Sequence, residues 1–156
     1  MAEFKPTFLI VPGAWHPSSC YKTLAAHLKA AQFPVLIATH PSLNSAEPST
    51  ATTTQDAQAV REILLPLIDD QGKNIVLLTH SYGGVSGSAA AYGLSTASRA
   101  KAGKKGGILG IACIAAWRVP EGERLVDMLG GSDPPWLLRD QPSPGLGQIA
   151  SPIDVF

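Results

Sequence analysis

The sequence is poor in the features that announce a partner. Its 156 residues carry 12 basic and 12 acidic side chains, so the formal net charge is zero. With no overall field, nothing draws the chain to nucleic acid or to an anionic membrane, and neither is expected as a partner. Only two cysteines occur, Cys20 and Cys113, far apart and in no metal-binding spacing. That is too few for a disulfide framework, and both are expected to be free, buried thiols. No apolar run approaches the ~18 residues that span a bilayer, and residues 1–6 lack the basic-then-apolar order of a secretion signal. A soluble cytoplasmic protein is expected. Histidine is scarce as well: there are four, and none follows His80. None has a companion at ligand spacing, so no metal is expected.

What the chain does have is the order of elements of an α/β protein. At 45% hydrophobic and 15% charged it is composed like one soluble domain with a core. Short apolar runs at 7–11, 35–39, 75–79 and 108–115 alternate with helical spacing at 20–31, 54–70 and 82–94. Apolar strands alternating with helices predict a mostly parallel sheet covered on both faces, a three-layer sandwich. Residues 41–53, rich in Ser, Thr and Pro, read as a loop. After Trp117 the pattern breaks: 121–129 reads as one amphipathic helix, and 130–156, rich in proline and glycine, as irregular chain without a further strand.

Two loops are predicted to converge. If the second strand lies on one side of the first and the third and fourth on the other, the connection reverses between strands one and three. Such a switch point opens a crevice at the strands' carboxyl ends. Pro12-Gly13-Ala14-Trp15-His16 follows the first strand, and His80-Ser81-Tyr82-Gly83-Gly84 follows the third. The second segment reads as a nucleophile elbow, in which a tight strand-to-helix turn exposes a serine hydroxyl. The amides of Ala14 and Tyr82 could then point at one oxygen and form an oxyanion hole. A four-unit βα chain also suits a dinucleotide-binding oxidoreductase, but no Gly-x-Gly-x-x-Gly turn follows the first strand, and no cofactor is expected.

With Leu9-Ile10-Val11-Pro12-Gly13-Ala14-Trp15-His16 and Leu77-Leu78-Thr79-His80-Ser81-Tyr82-Gly83-Gly84 in place, the chain resembles the N-terminal half of a single-domain α/β-hydrolase. The branch it resembles includes small esterases, hydroxynitrile-lyase-like enzymes and many fungal hydrolases. The resemblance covers residues 7–120 and implies a truncated α/β-hydrolase fold, with 1–120 the N-terminal part of the core and 121–156 the start of an irregular, lid-like region. It implies Ser81 as nucleophile, Ala14 and Tyr82 as oxyanion donors, and a small-molecule ester or related carbonyl substrate. Ala115-Ala116-Trp117-Arg118-Val119-Pro120 resembles the exit of the next strand. Family members carry an acid and a histidine further on, so the chain alone is expected to be weakly active or inactive. A non-hydrolytic lyase or ligand-binding protein of the same fold is the alternative. In the family pattern Gly-x-Ser-x-Gly, this chain has Thr79 at the first glycine.

Gly13, Trp15, His16 and Trp117 are the candidate substrate contacts, with Trp15, Tyr82 and Trp117 able to wall an apolar pocket. His80 reads as a support for the turn, His27 as a surface residue and His40 as the end of the second strand. Ser143-Pro144-Gly145 repeats the Ser-x-Gly core without a strand before it or a helix after it, and reads as chance. Asp127, Asp133, Asp140 and Asp154 come late enough for a triad acid, but there is no histidine for them to orient. Arg99, Lys101, Lys104 and Lys105 read as a solvated basic turn. The apolar outer edge of the fourth strand invites association with another copy of the chain.

Overall fold

The computed structural model describes residues 5–151. Four parallel strands, β1 (Thr7–Val11), β2 (Val35–Ile37), β3 (Asn74–His80) and β4 (Gly107–Ile114), pair in the order β2-β1-β3-β4. The chain therefore reverses direction across the sheet between β1 and β3, as the sequence predicts. Helix α1 (Lys22–Ala30), entered through a 3₁₀ turn at Ser18–Tyr21, covers one face. There Ile10 and Leu78 pack with Tyr21 and Ala25. Helices α2 (Thr53–Leu65) and α3 (Gly83–Ala91) cover the other face, where Leu9, Val11, Ile75 and Leu77 meet Val60, Leu64 and Ala90. Helices on both faces of a mostly parallel sheet make the three-layer arrangement expected of this pattern.

Local chemistry sets the helix limits. Thr52 accepts from the Gln55 amide while the Gln55 side chain accepts from the Thr52 amide, a capping box that starts α2 at the end of the Ser/Thr/Pro loop. Pro66 ends the α-helical run, and the chain continues as one π turn, Pro66–Asp70.

Three expectations need correction. A short helix, α4 (Thr96–Lys101), capped by Ser95, occupies the basic stretch, and Arg99 is buried in it. Its guanidinium pairs with Asp69 at 2.8 Å and donates to the carbonyls of Lys105 and Gly106 at 3.0 Å each. This cation holds a turn together; it is not solvated. The predicted helix at 121–129 shrinks to one turn, α5 (Leu125–Met128), and the tail forms a two-stranded antiparallel hairpin of β5 (Leu137–Arg139) and β6 (Gly147–Ile149). Unlike the equally short β2, which is wholly apolar, Leu137-Leu138-Arg139 and Gly147-Gln148-Ile149 form no continuous apolar run to mark them as strands. Finally, both cysteines are free but exposed. Cys113 is exposed because β4 lies at the sheet edge, with Leu109, Ile111 and Ile114 at 39–52% exposure around it.

Candidate active site

Ser81 begins the turn between β3 and α3 and adopts φ +50°, a left-handed conformation that L-residues avoid. Neighbouring elements hold it there. Its amide donates to Ile114 O at 3.3 Å, and its carbonyl accepts from Gly84 N at 3.0 Å and Trp117 N at 3.1 Å. The glycines after it are required by close approach rather than by dihedral angle. A Cβ on Gly83 would lie 2.3 Å from Val11 O, and one on Gly84 would lie 2.2 Å from Trp117 O. The elbow is thus wedged between the ends of β1 and β4.

Thr79, the departure from the family pattern, is fully buried, and its methyl needs room. Gly87, one helical turn into α3, supplies it: a Cβ there would lie 2.9 Å from Thr79 Cγ2. A glycine missing from one side of the strand-helix contact is replaced by a glycine on the other.

The loop after β1 meets the elbow as the sequence predicts. A Cβ on Gly13 would lie 3.1 Å from Ser81 Cβ and 2.8 Å from His80 Nδ1. Among the described residues no hydrogen bond uses the N–H of Ala14 or of Tyr82. Tyr21 braces the loop from beneath. Its phenolic oxygen accepts from Gly13 N at 2.9 Å, which leaves the phenol proton for His80 Nδ1 at 2.8 Å. His80 is therefore assigned as the Nε2–H tautomer. Burial, helped by the neighbouring His16, holds His80 below the ordinary imidazole value. The rings of His16 and His80 lie 5.0 Å apart, and His16 Nδ1 is 2.6 Å from Ala14 O. Both histidines thus shape the loop.

A cavity of about 770 Å³ opens beside these amides. Gly13, Ala14, Trp15 and Tyr82 line it, whereas Ser81, His16 and Trp117 do not. The tail hairpin forms its far wall through Gln148 and Ile149, tied to the first loop by Trp15 Nε1 donating to Gly147 O at 2.7 Å and by the Trp15–Trp136 edge contact at 6.3 Å. No pattern in the sequence announces this wall.

Sequence reasoning also missed a buried polar group next to the elbow. Asp56, at the start of α2, is 0% exposed. Its Oδ1 accepts from Ser42 N at 2.9 Å, and its Oδ2 accepts from Ser42 Oγ and Tyr82 OH, both at 2.7 Å. His40 lies edge-on to Tyr82 at 5.3 Å and meets Ser86 of α3 through Nε2 at 2.9 Å. Burial lowers the His40 pKa, and the Asp56 charge only partly offsets it. The signal was spacing: Asp56, Val60 and Leu64 form one i, i+4 stripe on the buried face of α2.

Three of the late carboxylates have partners other than a histidine. Asp127 pairs with Arg124 at 2.7 Å, Asp133 pairs with Arg139, and Asp140 accepts from Gly145 N at 2.7 Å. Asp154 lies outside the described residues. Among the described residues no helix is long and apolar enough to cross a membrane.

Comparison with known proteins agrees with the architecture. A fungal relative, "Alpha/beta hydrolase nvfD" of Aspergillus novofumigatus, is 33% identical over 125 residues, 80% of this chain and 48% of its own length. "Probable hydrolase R7" of a Phoma species is 28% identical over 128 residues, 81% of this chain and 49% of its own. A "Carbendazim hydrolyzing esterase" from a Nocardioides species is 31% identical over 78 residues, half of this chain and 32% of its own. Among solved structures, an extracellular α/β-hydrolase from a Paenibacillus species, described as sharing structural and functional homology with tobacco salicylic acid binding protein 2, superimposes with a TM-score of 0.60. It does so at 18% identity, over 78% of this chain and 45% of its own. The chain thus spans about half the length of the two fungal relatives. The family profile itself matches residues 8–154, nearly the whole sequence, and the chain belongs to the alpha/beta hydrolase family.

Proposed function

We propose that this chain carries the nucleophile and the oxyanion-binding half of a serine hydrolase acting on a small-molecule ester or related carbonyl compound. The observation that supports this most is Ser81 in a left-handed turn against Gly13, with no hydrogen bond among the described residues using the Ala14 or Tyr82 N–H. In this reading Ser81 Oγ attacks the carbonyl carbon, the C=O electron pair moves onto oxygen, and the two N–H groups stabilise the resulting oxyanion. The serine proton must go to a base. His40 and His80 each spend a ring nitrogen on another side chain, Ser86 and Tyr21, and His16 Nδ1 lies 2.6 Å from Ala14 O. Loss of the base from a serine triad lowers turnover about 10⁶-fold, while the oxyanion hole and binding retain about 10³ to 10⁴ over water. In this reading the chain by itself hydrolyses weakly or not at all. Two unpaired cysteines suit a reducing, cytoplasmic setting.

The test supplies the base from solution. A fluorophosphonate should phosphonylate Ser81 slowly, with a P–O bond formed and fluoride released, and imidazole should accelerate it. Ser81→Ala should abolish the label and Ser143→Ala should not. Labelling that persists in Ser81→Ala would refute the assignment, and near-normal turnover of a simple ester without added base would refute the weak-activity reading.

One observation favours a non-hydrolytic alternative, a lyase or a ligand-binding protein: Ala14 and Tyr82 line the cavity and Ser81 does not. Saturable binding of a carbonyl ligand that protects nothing at Ser81, with no imidazole-dependent labelling, would select it.

A further inference from the structure

Asp56 is a buried charge to which hydrolysis by Ser81 assigns no step. Taking a carboxylate out of water is costly unless hydrogen bonds replace its hydration, so a fully buried one beside the elbow calls for an explanation. Its donors come from two places that the chain has to bring together. Ser42, with its amide and its hydroxyl, belongs to the loop after β2 that lines the cavity. Tyr82 is the residue immediately after the nucleophile. No ion pair reaches Asp56 among the described residues. The hydrogen bonds alone offset the desolvation, and they do so only while both segments stay in place.

The consequence for Tyr82 is geometric. Its backbone opens α3, and its phenol is held at the far end by Asp56 at 2.7 Å. His40 flanks the ring and is itself fastened to Ser86 one turn further along the same helix. Both ends of the side chain are held, which fixes its rotamer and anchors the start of α3, from which its main-chain N–H projects. Burial raises the Tyr82 pKa, the Thr53 side chain works against it and the Asp56 carboxylate adds to it, so the phenol stays a donor to Asp56 across the neutral range.

We propose that Asp56 is a positioning residue: by clamping the Tyr82 phenol to the Ser42 loop, it fixes the Tyr82 amide as an oxyanion donor and holds that wall of the cavity in register. The role rests on the hydrolase reading above, because it acts through the Tyr82 amide. Asparagine is the informative replacement. Its one oxygen can accept from Ser42 N, but its NH₂ then faces two hydroxyls that must both turn round to accept. The shape survives and the clamp weakens.

The experiment measures imidazole-assisted fluorophosphonate labelling of Ser81 in the purified chain, separating the maximal rate from the half-saturating concentration. Losing an oxyanion donor outright costs about 10² to 10³-fold, so misaligning one in Asp56→Asn should lower the maximal rate about tenfold with little change in half-saturation. Tyr82→Phe removes the same contact from the other side and should give a similar loss. The double variant should lose no more than either alone, because the two act as one unit. A merely structural Asp56 would lower stability without this rate-specific, non-additive signature. If Asp56→Asn does not fold, Tyr82→Phe, which leaves both Ser42 bonds to Asp56 intact, carries the test. A wild-type labelling rate in folded Asp56→Asn or Tyr82→Phe, or losses that multiply in the double variant, would overturn the positioning role while leaving the nucleophile assignment standing. No labelling of Ser81 in the wild-type chain would overturn the hydrolase reading, and the positioning role with it.

Discussion

If Ser81 is held in a left-handed turn, the fold stores strain at its proposed nucleophile, and removing the Cβ should release it. A non-glycine residue in this region costs about 1–2 kcal/mol, because the Cβ crowds the following carbonyl. Ser81 sits there at φ +50°. Ser81→Ala keeps the Cβ and the strain and loses only the hydroxyl, so it is the proper reference. Ser81→Gly removes the strain but loosens the unfolded chain, which costs about 0.4–1 kcal/mol. The glycine variant should therefore be about 0.5–1 kcal/mol more stable than the alanine variant. With a urea m-value of about 2 kcal/mol/M, the midpoint should rise by about 0.3–0.5 M, and Tm by about 1–4 °C. Asn44, also left-handed at φ +60°, is the control. Asparagine tolerates that conformation, so Asn44→Gly should gain less or lose. Paired urea titrations followed by circular dichroism suffice. A Ser81→Gly variant no more stable than Ser81→Ala would mean that the turn is relaxed, and the strained-elbow argument would fail.

Further predictions concern groups away from Ser81. His40 and His80 have folded pKa values below the ordinary imidazole value, chiefly through burial. The unfolded chain then binds more protons just below about pH 6.5, so stability should fall as the pH drops from 6.5 toward the folded values and stay level above that window. His40→Gln should flatten this slope in urea titrations run from pH 7.5 to 5, and an unchanged slope would place the titrating group elsewhere. Arg99→Ala should cost about 2 kcal/mol, because a buried guanidinium bonded to two carbonyls and Asp69 is lost. Asp69→Ala should cost less than half as much, its carboxylate being 44% exposed, and equal losses would contradict a carbonyl-centred role for Arg99. Cys20 and Cys113 should both react with a thiol reagent in the native monomer. Protection of Cys113 alone, growing with protein concentration, would show a second copy seated on β4, and protection already present at high dilution would contradict an open β4.

The sequence conveyed the part of this fold that is written in short-range pattern. Apolar runs predicted all four strands of the parallel sheet, and the reversal between β1 and β3 put Gly13 and Ser81 at one place, where a Gly13 Cβ would fall 3.1 Å from Ser81 Cβ. The same reasoning failed at α5 and the β5-β6 hairpin, where a single turn shows no period and, unlike the wholly apolar β2, the short strands mix apolar residues with Arg139, Gly147 and Gln148. It also misread Arg99, since a cation flanked by lysines and glycines looks like a solvated loop until its three partners are known.

The site divides along the same line. A nucleophile elbow is local: a strand, a serine and the small residues that let a helix turn back, all within a few positions of Ser81. What holds the elbow is not local. Tyr21 braces Gly13 and His80 from 59 residues before that histidine, and Asp56 reaches Tyr82 across 26 residues. Their identities carry no motif, only burial that the hydrophobic stripe of α2 betrays for Asp56. Thr79 shows how far the separation goes. Read along the chain it breaks the Gly-x-Ser-x-Gly pattern, yet in the folded protein Gly87 leaves the space that the absent glycine would have left. The requirement at that contact is on the sum of two side chains facing each other, and a linear pattern records only one of them. Thr79→Gly should therefore open a cavity at the Gly87 contact, whereas Gly87→Ala should force the strand and helix apart.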